Sequence, residues 1–250
     1  MLIFHAAAVL STAPPSGPVR SFRHSYYCLR HGQSQANVEG LISSDPTVAC
    51  IAHGLSSLGW DQAAEAAESI ASEAAALGVD GVAIVSSDLR RAWQTASAVR
   101  AGLLANGVQV FGILEERSLR ERSFGTLSGQ SDAHYEDVWV EDALSAAHER
   151  FECEAVLSVR ERARHVVDRL DAVDGPLPPG RWMVVLVAHG DVLQILQTAF
   201  AQVDPTQHRS LVHLPTATLR KLEIAAPGAW PPHDESLVSD RFRHAADWPM

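Results

Sequence analysis

The stretch that decides the fold is Trp182–Gly190, which reads WMVVLVAHG. Its seven consecutive apolar residues predict a long buried strand, and this strand ends at a polar His-Gly pair. A second stretch has the same form, because a strand predicted over Tyr26–Leu29 ends at Arg30-His31-Gly32. In α/β sheets, ligands bind beyond the carboxyl ends of the strands. The two stretches therefore predict a ligand site with a histidine from each strand.

Apolar runs alternate with helix-period segments along the rest of the chain. Further strands are predicted over Val82–Val85, Val108–Leu114 and about Ala217–Ile224, and helices over Leu58–Ala76, Leu89–Leu104 and Glu154–Leu170. Ser87 or Asp88 is the predicted N-cap of the second helix. This alternation predicts a three-layer α/β/α sandwich with a mostly parallel central sheet.

Length and charge limit the possible partners. The 250 residues predict one sizeable domain, and the formal net charge of -10 argues against nucleic acid or an anionic membrane as partner. An anionic substrate must then meet a local cluster of basic side chains. The three cysteines, Cys28, Cys50 and Cys153, are far apart and imply neither a disulfide framework nor a zinc knuckle, which fits a reducing compartment.

The two ends of the chain differ in composition from the middle. We expect residues 1–24 to form a flexible extension, residues 25–224 the folded domain and residues 225–250 a loosely ordered tail. No apolar run is long enough to span a bilayer, so the predicted location is the cytoplasm. The stretch before Glu39 is free of acidic residues and resembles a short organelle transit segment, which leaves an organelle as the alternative.

Two further segments qualify as parts of an anion site. Arg90 and Arg91 stand in the first turn of a predicted helix, where cations oppose the helix dipole at a cost of about 0.3–1 kcal/mol unless an anion lies beside them. Glu121 lies between Arg120 and Arg122 in a loop after the third strand. Each of these segments, taken alone, is equally consistent with a solvated surface.

The order of these segments resembles the histidine phosphatase superfamily, which includes phosphoglycerate mutases and many small-molecule phosphatases. The resemblance covers roughly residues 25–224. In chain order it is carried by R-H-G at Arg30–Gly32, N at Asn37, L-x-x-x-G-x-x-Q-A at Leu55–Ala63, S-x-L-x-R-A-x-Q-T-A at Ser87–Ala96, L-x-E-R-x-F-G-x-x-x-G at Leu119–Gly129, E-x(7)-R at Glu152–Arg160 and H-G at His189–Gly190.

The resemblance implies a phosphoglycerate mutase-like fold and a role for each matching residue. His31 would attack phosphorus and form a phosphohistidine. Arg30, Arg91 and His189 would hold the non-bridging oxygens, with Asn37 as a further phosphate contact. The family's arginine directly precedes an alanine, which selects Arg91 over Arg90.

Glu121, by the same resemblance, would protonate the leaving alkoxide and then accept a proton from the attacking water. Three positions depart from the common sequence pattern of the family. Gln33 replaces a frequent glutamate, Asp88 a frequent proline and Asp191 a frequent glycine. None of them removes a residue with an implied catalytic role. We expect them to affect the tuning of the site and its substrate preference.

The remaining histidines lack the spacing of a zinc site, so we predict no metal, and the resemblance implies no cofactor. His213 precedes the last strand and is a candidate for the wall of the pocket. Trp60, Trp93 and Trp182 are predicted to lie in the core, whereas Trp139 is a candidate cover for the substrate.

The segment Thr126–Val159, here called the lid segment, bears on substrate preference. It contains eight acidic residues and one basic residue, Arg150, which suits a doubly anionic substrate poorly. The sequence therefore favours hydrolysis of a small phosphomonoester. A phosphoglycerate mutase or a sugar bisphosphatase is the first alternative, and a non-catalytic protein that binds a phosphorylated metabolite is the second. The leaving group and the oligomeric state are left open.

Overall fold

The computed structural model describes residues 21–225, Trp230 and residues 233–238. Its centre is a five-stranded sheet in the order β3-β2-β4-β1-β5. The four strands β1 to β4 are parallel, and β5 joins the edge antiparallel to β1. The strands are β1 (Ser25–Arg30), β2 (Gly81–Ser86), β3 (Val110–Glu115), β4 (Trp182–Ala188) and β5 (Leu219–Lys221).

Seven α-helices connect or cover these strands in the described part of the chain. They are α1 (Gln35–Glu39), α2 (Pro46–Ala49), α3 (Ser57–Leu77), α4 (Arg90–Ala105), α5 (Tyr135–Asp142), α6 (Val156–Asp171) and α7 (Gly190–Ala201). The predicted mostly parallel α/β fold is confirmed. The short helices α1, α2 and α5 were not predicted, since four to eight residues carry too little periodicity to stand out.

The core consists of two apolar layers, one on each face of the sheet. Strand β4 alternates between them, with Val184 and Leu186 packed toward α6 and α7, and Val185 and Val187 packed toward α3 and α4. All seven residues of β4 are buried. This two-sided burial explains the uninterrupted apolar run, and it confirms the three-layer arrangement.

Helices α3 and α4 pack closely because small residues meet at their contact. A side chain at Gly102 of α4 would approach the Cβ of Ala67 of α3 to 2.6 Å. The alanine-rich composition of α3 therefore has a packing reason as well as a helix-propensity reason.

Several local predictions are wrong. Strand β5 is only three residues long, and it begins after Ala217, which adopts a left-handed backbone with φ of 52°. The N-cap of α4 is Leu89 rather than Ser87 or Asp88. Trp182 is buried as predicted, but Trp60 and Trp93 are 42% and 38% exposed. Neither tryptophan is among the buried residues of its helix, so other side chains of α3 and α4 fill the core.

The packed body is wider than residues 25–224. Phe22 and Trp230 lie edge to face with ring centroids 5.2 Å apart, and both pack on the layer formed by α6 and α7. The rest of the predicted extension and tail, residues 1–20, 226–229, 231–232 and 239–250, lies outside the described residues. Within the described part of the chain, no helix is long and apolar enough to cross a bilayer.

Candidate active site

The two strand-end histidines lie side by side. Strands β1 and β4 are adjacent and in register, with Arg30 opposite Ala188, so the next residue of each strand is a histidine. The His31 N–H donates to the Ala188 carbonyl at 2.9 Å, and the His31 and His189 ring centroids are 5.2 Å apart. Both side chains are buried. The sheet register thus brings together two residues that are distant in sequence.

The tautomer of His31 follows from one hydrogen bond. Its Nδ1 lies 2.7 Å from the Gly32 carbonyl oxygen, which can only accept, so Nδ1 carries the proton and Nε2 keeps a lone pair. Arg91 Nε donates to that lone pair at 3.1 Å. Burial, with the positive charges of Arg91 and Arg30, lowers the pKa of His31 well below its usual value. The imidazole is therefore neutral at neutral pH, with Nε2 ready to act as a nucleophile.

Gly32 permits this geometry because it lies against the start of α3. A side chain at Gly32 would approach the Gly59 carbonyl oxygen to 2.4 Å, which is closer than any real contact of this kind. The Gly32 N–H also donates to Thr95 Oγ1 of α4 at 3.0 Å. Two glycines and a threonine from three elements therefore fix the turn that presents His31.

Arg91 is fixed toward the site, whereas Arg90 points away from it. The Arg91 side chain is buried and donates to the Ser43 carbonyl oxygen at 2.9 Å as well as to His31. Arg90 is exposed and contacts the Ile51 carbonyl oxygen. Burial lowers the pKa of Arg91, and the nearby Glu121 carboxylate opposes this shift.

Two buried nitrogens at the site lack a partner among the described residues. Arg30 contacts His213 Nε2 at 2.9 Å and the Leu214 carbonyl oxygen at 3.2 Å through one terminal nitrogen, which leaves its Nε without a partner. His189 Nε2 lies 2.9 Å from Ser87 Oγ, and its Nδ1 has no partner. Unpartnered buried polar groups are costly, and an anion at the site would satisfy them.

Glu121 lies at the amino end of α7, next to the histidine pair. Its Oε1 accepts the N–H groups of Arg122 at 3.0 Å and Val192 at 3.3 Å. Burial and the nearby Asp191 carboxylate raise the pKa of Glu121, and this outweighs the lowering effect of Arg91 and Arg30. A buried glutamate whose pKa is raised is suited to donate a proton near neutral pH.

Asp88 helps to fix the loop that carries Glu121. Its carboxylate accepts two bonds from the Arg120 guanidinium, at 2.7 Å from Nε and 2.5 Å from a terminal nitrogen. The aspartate that replaces the family's frequent proline therefore anchors the residue before Glu121 to the start of α4.

A cavity of about 190 Å³ opens beside this cluster. Its wall consists of Arg30, Asn37, Leu41, Glu121, Asp132, Tyr135, Trp139, Gly190, Asp191, Arg209 and His213. Asn37 reaches the cavity but also accepts the Ser34 N–H at 3.1 Å as part of a helix cap. Trp139 and His213 line the wall, as their sequence positions suggested. Tyr135 and Arg209 were not foreseen, because nothing in their local sequence marks them.

The glutamate–arginine pair predicted from the E-x(7)-R match, Glu152 and Arg160, is wrong. Glu152 is exposed, and Arg160 lies 3.5 Å from Glu161 rather than from Glu152. The buried pair with the same spacing is Glu154 and Arg162, whose carboxylate and guanidinium are 2.8 Å apart. Arg162 also donates to the Arg120 carbonyl oxygen at 3.0 Å, so this pair supports the loop that carries Glu121.

A buried charge cluster lies behind the cavity. Its possible metal ligands are one carboxylate oxygen each from Asp142 and Asp191 and one ring nitrogen from His208. These three atoms lie within 4.8 Å of one another, a spacing that a metal ion could use. However, a terminal nitrogen of Arg122 lies 2.7 Å from Asp142 and 3.4 Å from Asp191. The guanidinium bridges the two carboxylates and supplies the positive charge that a metal ion would otherwise provide.

Comparison with known proteins identifies the family. Residues 26–230 match the histidine phosphatase superfamily (branch 1), and the chain belongs to that superfamily. That superfamily and the phosphatases among the structural neighbours support a phosphoric monoester hydrolase. No curated protein sequence matches the chain significantly.

Solved structures show the same fold. A mycobacterial glucosyl-3-phosphoglycerate phosphatase, solved with VO3, is 28% identical, with a TM-score of 0.61 over 78% of this chain and 89% of that chain. A protein described as mycobacterial hydrolase 1 has the same identity and TM-score over 78% of this chain and 87% of its own. YhfR of Bacillus stearothermophilus shares the fold at 23% identity, with a TM-score of 0.58 over 78% of this chain and 89% of that chain.

Proposed function

We propose that the protein hydrolyses a small phosphomonoester through a phosphohistidine at His31. The observation that carries this proposal is the bond from His31 Nδ1–H to the Gly32 carbonyl oxygen, which leaves the lone pair of the ring on Nε2. Nε2 attacks phosphorus, and the bond from phosphorus to the leaving oxygen breaks. An incoming phosphoryl group replaces His31 as the acceptor of the Arg91 Nε–H, which frees the lone pair for attack.

The charge of the phosphoryl group is held by Arg30, Arg91 and His189, with Asn37 as a further contact. Arg30 Nε and His189 Nδ1 are the unpartnered buried nitrogens described above, and they are suited to donate to its oxygens. Phosphoryl transfer depends mainly on positioning and charge stabilisation, which fixed guanidinium groups provide.

Glu121 completes the proton balance. In the first step its carboxyl group gives a proton to the leaving oxygen, and the free alcohol departs. In the second step water attacks phosphorus, the Glu121 carboxylate takes its proton, the bond from phosphorus to Nε2 breaks and inorganic phosphate leaves. The raised pKa of Glu121 supports the first step near neutral pH.

The cavity favours a small substrate over a phosphoprotein. Its volume of about 190 Å³ lies below the roughly 300–1,000 Å³ typical of pockets for drug-sized ligands. The net charge of -10 disfavours nucleic acid as a partner. A relative that acts on glucosyl-3-phosphoglycerate supports phosphorylated small metabolites as the first compounds to test.

Trapping the intermediate tests this function directly. The protein is mixed with 4-nitrophenyl phosphate, quenched in alkali and digested, and the peptide that contains His31 is examined by mass spectrometry for one phosphate. We expect phosphate on His31 together with steady release of inorganic phosphate into water. A chain that turns over no ester of a broad panel contradicts hydrolysis. Phosphoglycerate interconversion that requires a bisphosphate primer would instead identify a mutase.

The pH dependence of kcat/KM provides a second test. His31 reacts in its neutral form, and its pKa is lowered. We therefore expect protonation of His31 to reduce kcat/KM only when the pH falls well below 6.5. Glu121 must be protonated to assist the leaving group, so the rate for an ester of a weakly acidic alcohol falls as the pH rises through its raised pKa. We expect a maximum below pH 7 for such esters. A rate that keeps rising above pH 8 would contradict the role of Glu121.

A further inference from the structure

Asp191 occupies a position between the catalytic residues and the lid segment. It lies in the first turn of α7, directly after His189-Gly190, and its side chain is buried. Its Oδ1 accepts the indole N–H of Trp139 at 3.2 Å, and its Oδ2 lies 3.4 Å from a terminal nitrogen of Arg122. Arg209 approaches Oδ1 to 3.8 Å. One carboxylate therefore contacts α5, the Glu121 loop and the segment after α7.

Through these contacts Asp191 fixes the aromatic wall of the cavity. Trp139 stacks on Tyr135 with ring centroids 5.3 Å apart and planes only 7° from parallel. The Arg209 guanidinium lies 3.7 Å from the centre of the Trp139 ring. Trp139 is thus held by Tyr135, by Arg209 and, at its indole nitrogen, by Asp191. A glycine at this position would leave the indole N–H of Trp139 without the Asp191 acceptor.

Asp191 and Glu121 also share the amino end of α7. Glu121 accepts the N–H of Val192, the residue that follows Asp191. Several other groups face Glu121 or its surroundings: Arg30 from β1, Arg91 from α4, Arg122 from its own loop, Tyr135 from α5, and the neutral pair His31 and His189. Burial and then Asp191 oppose the ionised form of Glu121, whereas Arg91, the backbone N–H of Arg122 and Arg30 favour it.

We propose that Asp191 is a positioning residue that fastens α5 to α7 and favours the proton-donating form of Glu121. The inference rests on the proposed hydrolase function and on the role of Glu121 as the acid. It explains why a charged residue stands where glycine is frequent in the family. It predicts that Asp191 matters most for substrates whose leaving group needs a proton.

Two esters of nearly equal size separate this role from simple structural support. Phenyl phosphate releases a phenol with a pKa near 10, so its hydrolysis needs an acid, whereas 4-nitrophenyl phosphate releases a much more acidic phenol. The quantity measured is the ratio of kcat/KM for the nitrophenyl ester to that for the phenyl ester, together with the basic limb of the pH profile. A variant that lowers kcat/KM more for the phenyl ester than for the nitrophenyl ester has lost proton donation to the leaving group.

In Asp191→Asn the amide oxygen still accepts from Trp139, but the negative charge is lost. We expect the ratio to rise by about 3- to 10-fold at pH 7, and the basic limb for phenyl phosphate to move about one pH unit lower. Trp139→Phe removes the indole donor and part of the stacked ring surface but changes no charge, so it should raise KM for both esters and leave the basic limb in place. Asp137→Asn, an exposed lid residue, is the matched control and should leave the ratio unchanged.

Glu121→Gln distinguishes failure of the proposed function from failure of this inference. It should raise the ratio by about 100-fold or more. If it does not, Glu121 is not the acid and the proposed mechanism fails. Suppose that Glu121→Gln raises the ratio, but Asp191→Asn lowers kcat/KM equally for both esters and leaves the basic limb in place. Asp191 then has only a packing role, and the inference is overturned.

Discussion

Replacing His31 with alanine is expected to lower kcat for 4-nitrophenyl phosphate by at least about 10⁴-fold. The variant keeps Arg30, Arg91 and His189, so an ester still binds, but no imidazole nitrogen lies in position to take the phosphoryl group. Loss of a buried ring that packs near His189 should cost only modest stability, because the turn itself is fixed by backbone contacts to Gly59 and Thr95.

His134→Ala is the control for that substitution. His134 is a half-buried lid histidine whose ring contacts the exposed Asp137 at 2.7 Å, and it does not line the cavity. Its kcat should stay within about twofold of the unaltered enzyme, as expected for a surface substitution away from the site. Activity of His31→Ala above about 1% of the starting value would show that phosphorus is attacked by another nucleophile. The thermal unfolding midpoint of both variants checks that each is folded.

Replacing Arg122 with methionine should give the largest loss of stability, about 3–5 kcal/mol of unfolding free energy. Arg122 and Asp142 are both completely buried, and the guanidinium makes two bonds to the carboxylate, at 2.7 and 2.8 Å. Removing the cation leaves two aspartates, Asp142 and Asp191, without their shared positive charge. Urea unfolding monitored by circular dichroism measures the difference.

Arg150→Met provides the matched surface comparison. Arg150 pairs with Glu141 in the same lid segment, but its side chain is 61% exposed, and such pairs contribute about 0–1 kcal/mol. The double variant Arg122→Met with Asp142→Leu should lose less stability than the sum of the two single variants, because it removes both buried charges together. If Arg122→Met costs no more than Arg150→Met, the buried cluster does not stabilise the fold in this way.

The sequence predicted the layers of the fold from its long periodic elements, although it misplaced Trp60 and Trp93 within two of them. The apolar run of β4 and the helical pattern of α3 fixed the layers and placed both histidines at one edge of the sheet. The sequence alone therefore predicts that His31 and His189 lie close together, since the carboxyl ends of parallel strands meet at the same edge of the sheet.

The parts that could not be predicted depend on contacts between distant segments. Arg122 and Glu121 stand in one run of charged residues that is typical of solvated surface, yet both are buried by α7 and the lid segment. Arg209 reaches Trp139 across 70 residues of sequence, and no local pattern marks that contact. Glu152 and Glu154 carry the same spacing to an arginine, so only burial could decide between the two pairs.

The position of β1 within the sheet has a consequence for how the protein is made. Among the described strands, β1 pairs only with β4 and β5, and the ribosome produces β4 about 150 residues and β5 about 190 residues after β1. At roughly 5–20 residues per second, the emerging β1 segment waits about 8–30 s for its first strand partner. During that time α3 is available to pack on Tyr27 and Leu29, but the backbone N–H and C=O groups of β1 have no partner in the sheet. Newborn molecules should therefore depend on chaperones in this interval, and a nascent chain that stops before β4 has no partner for its first strand.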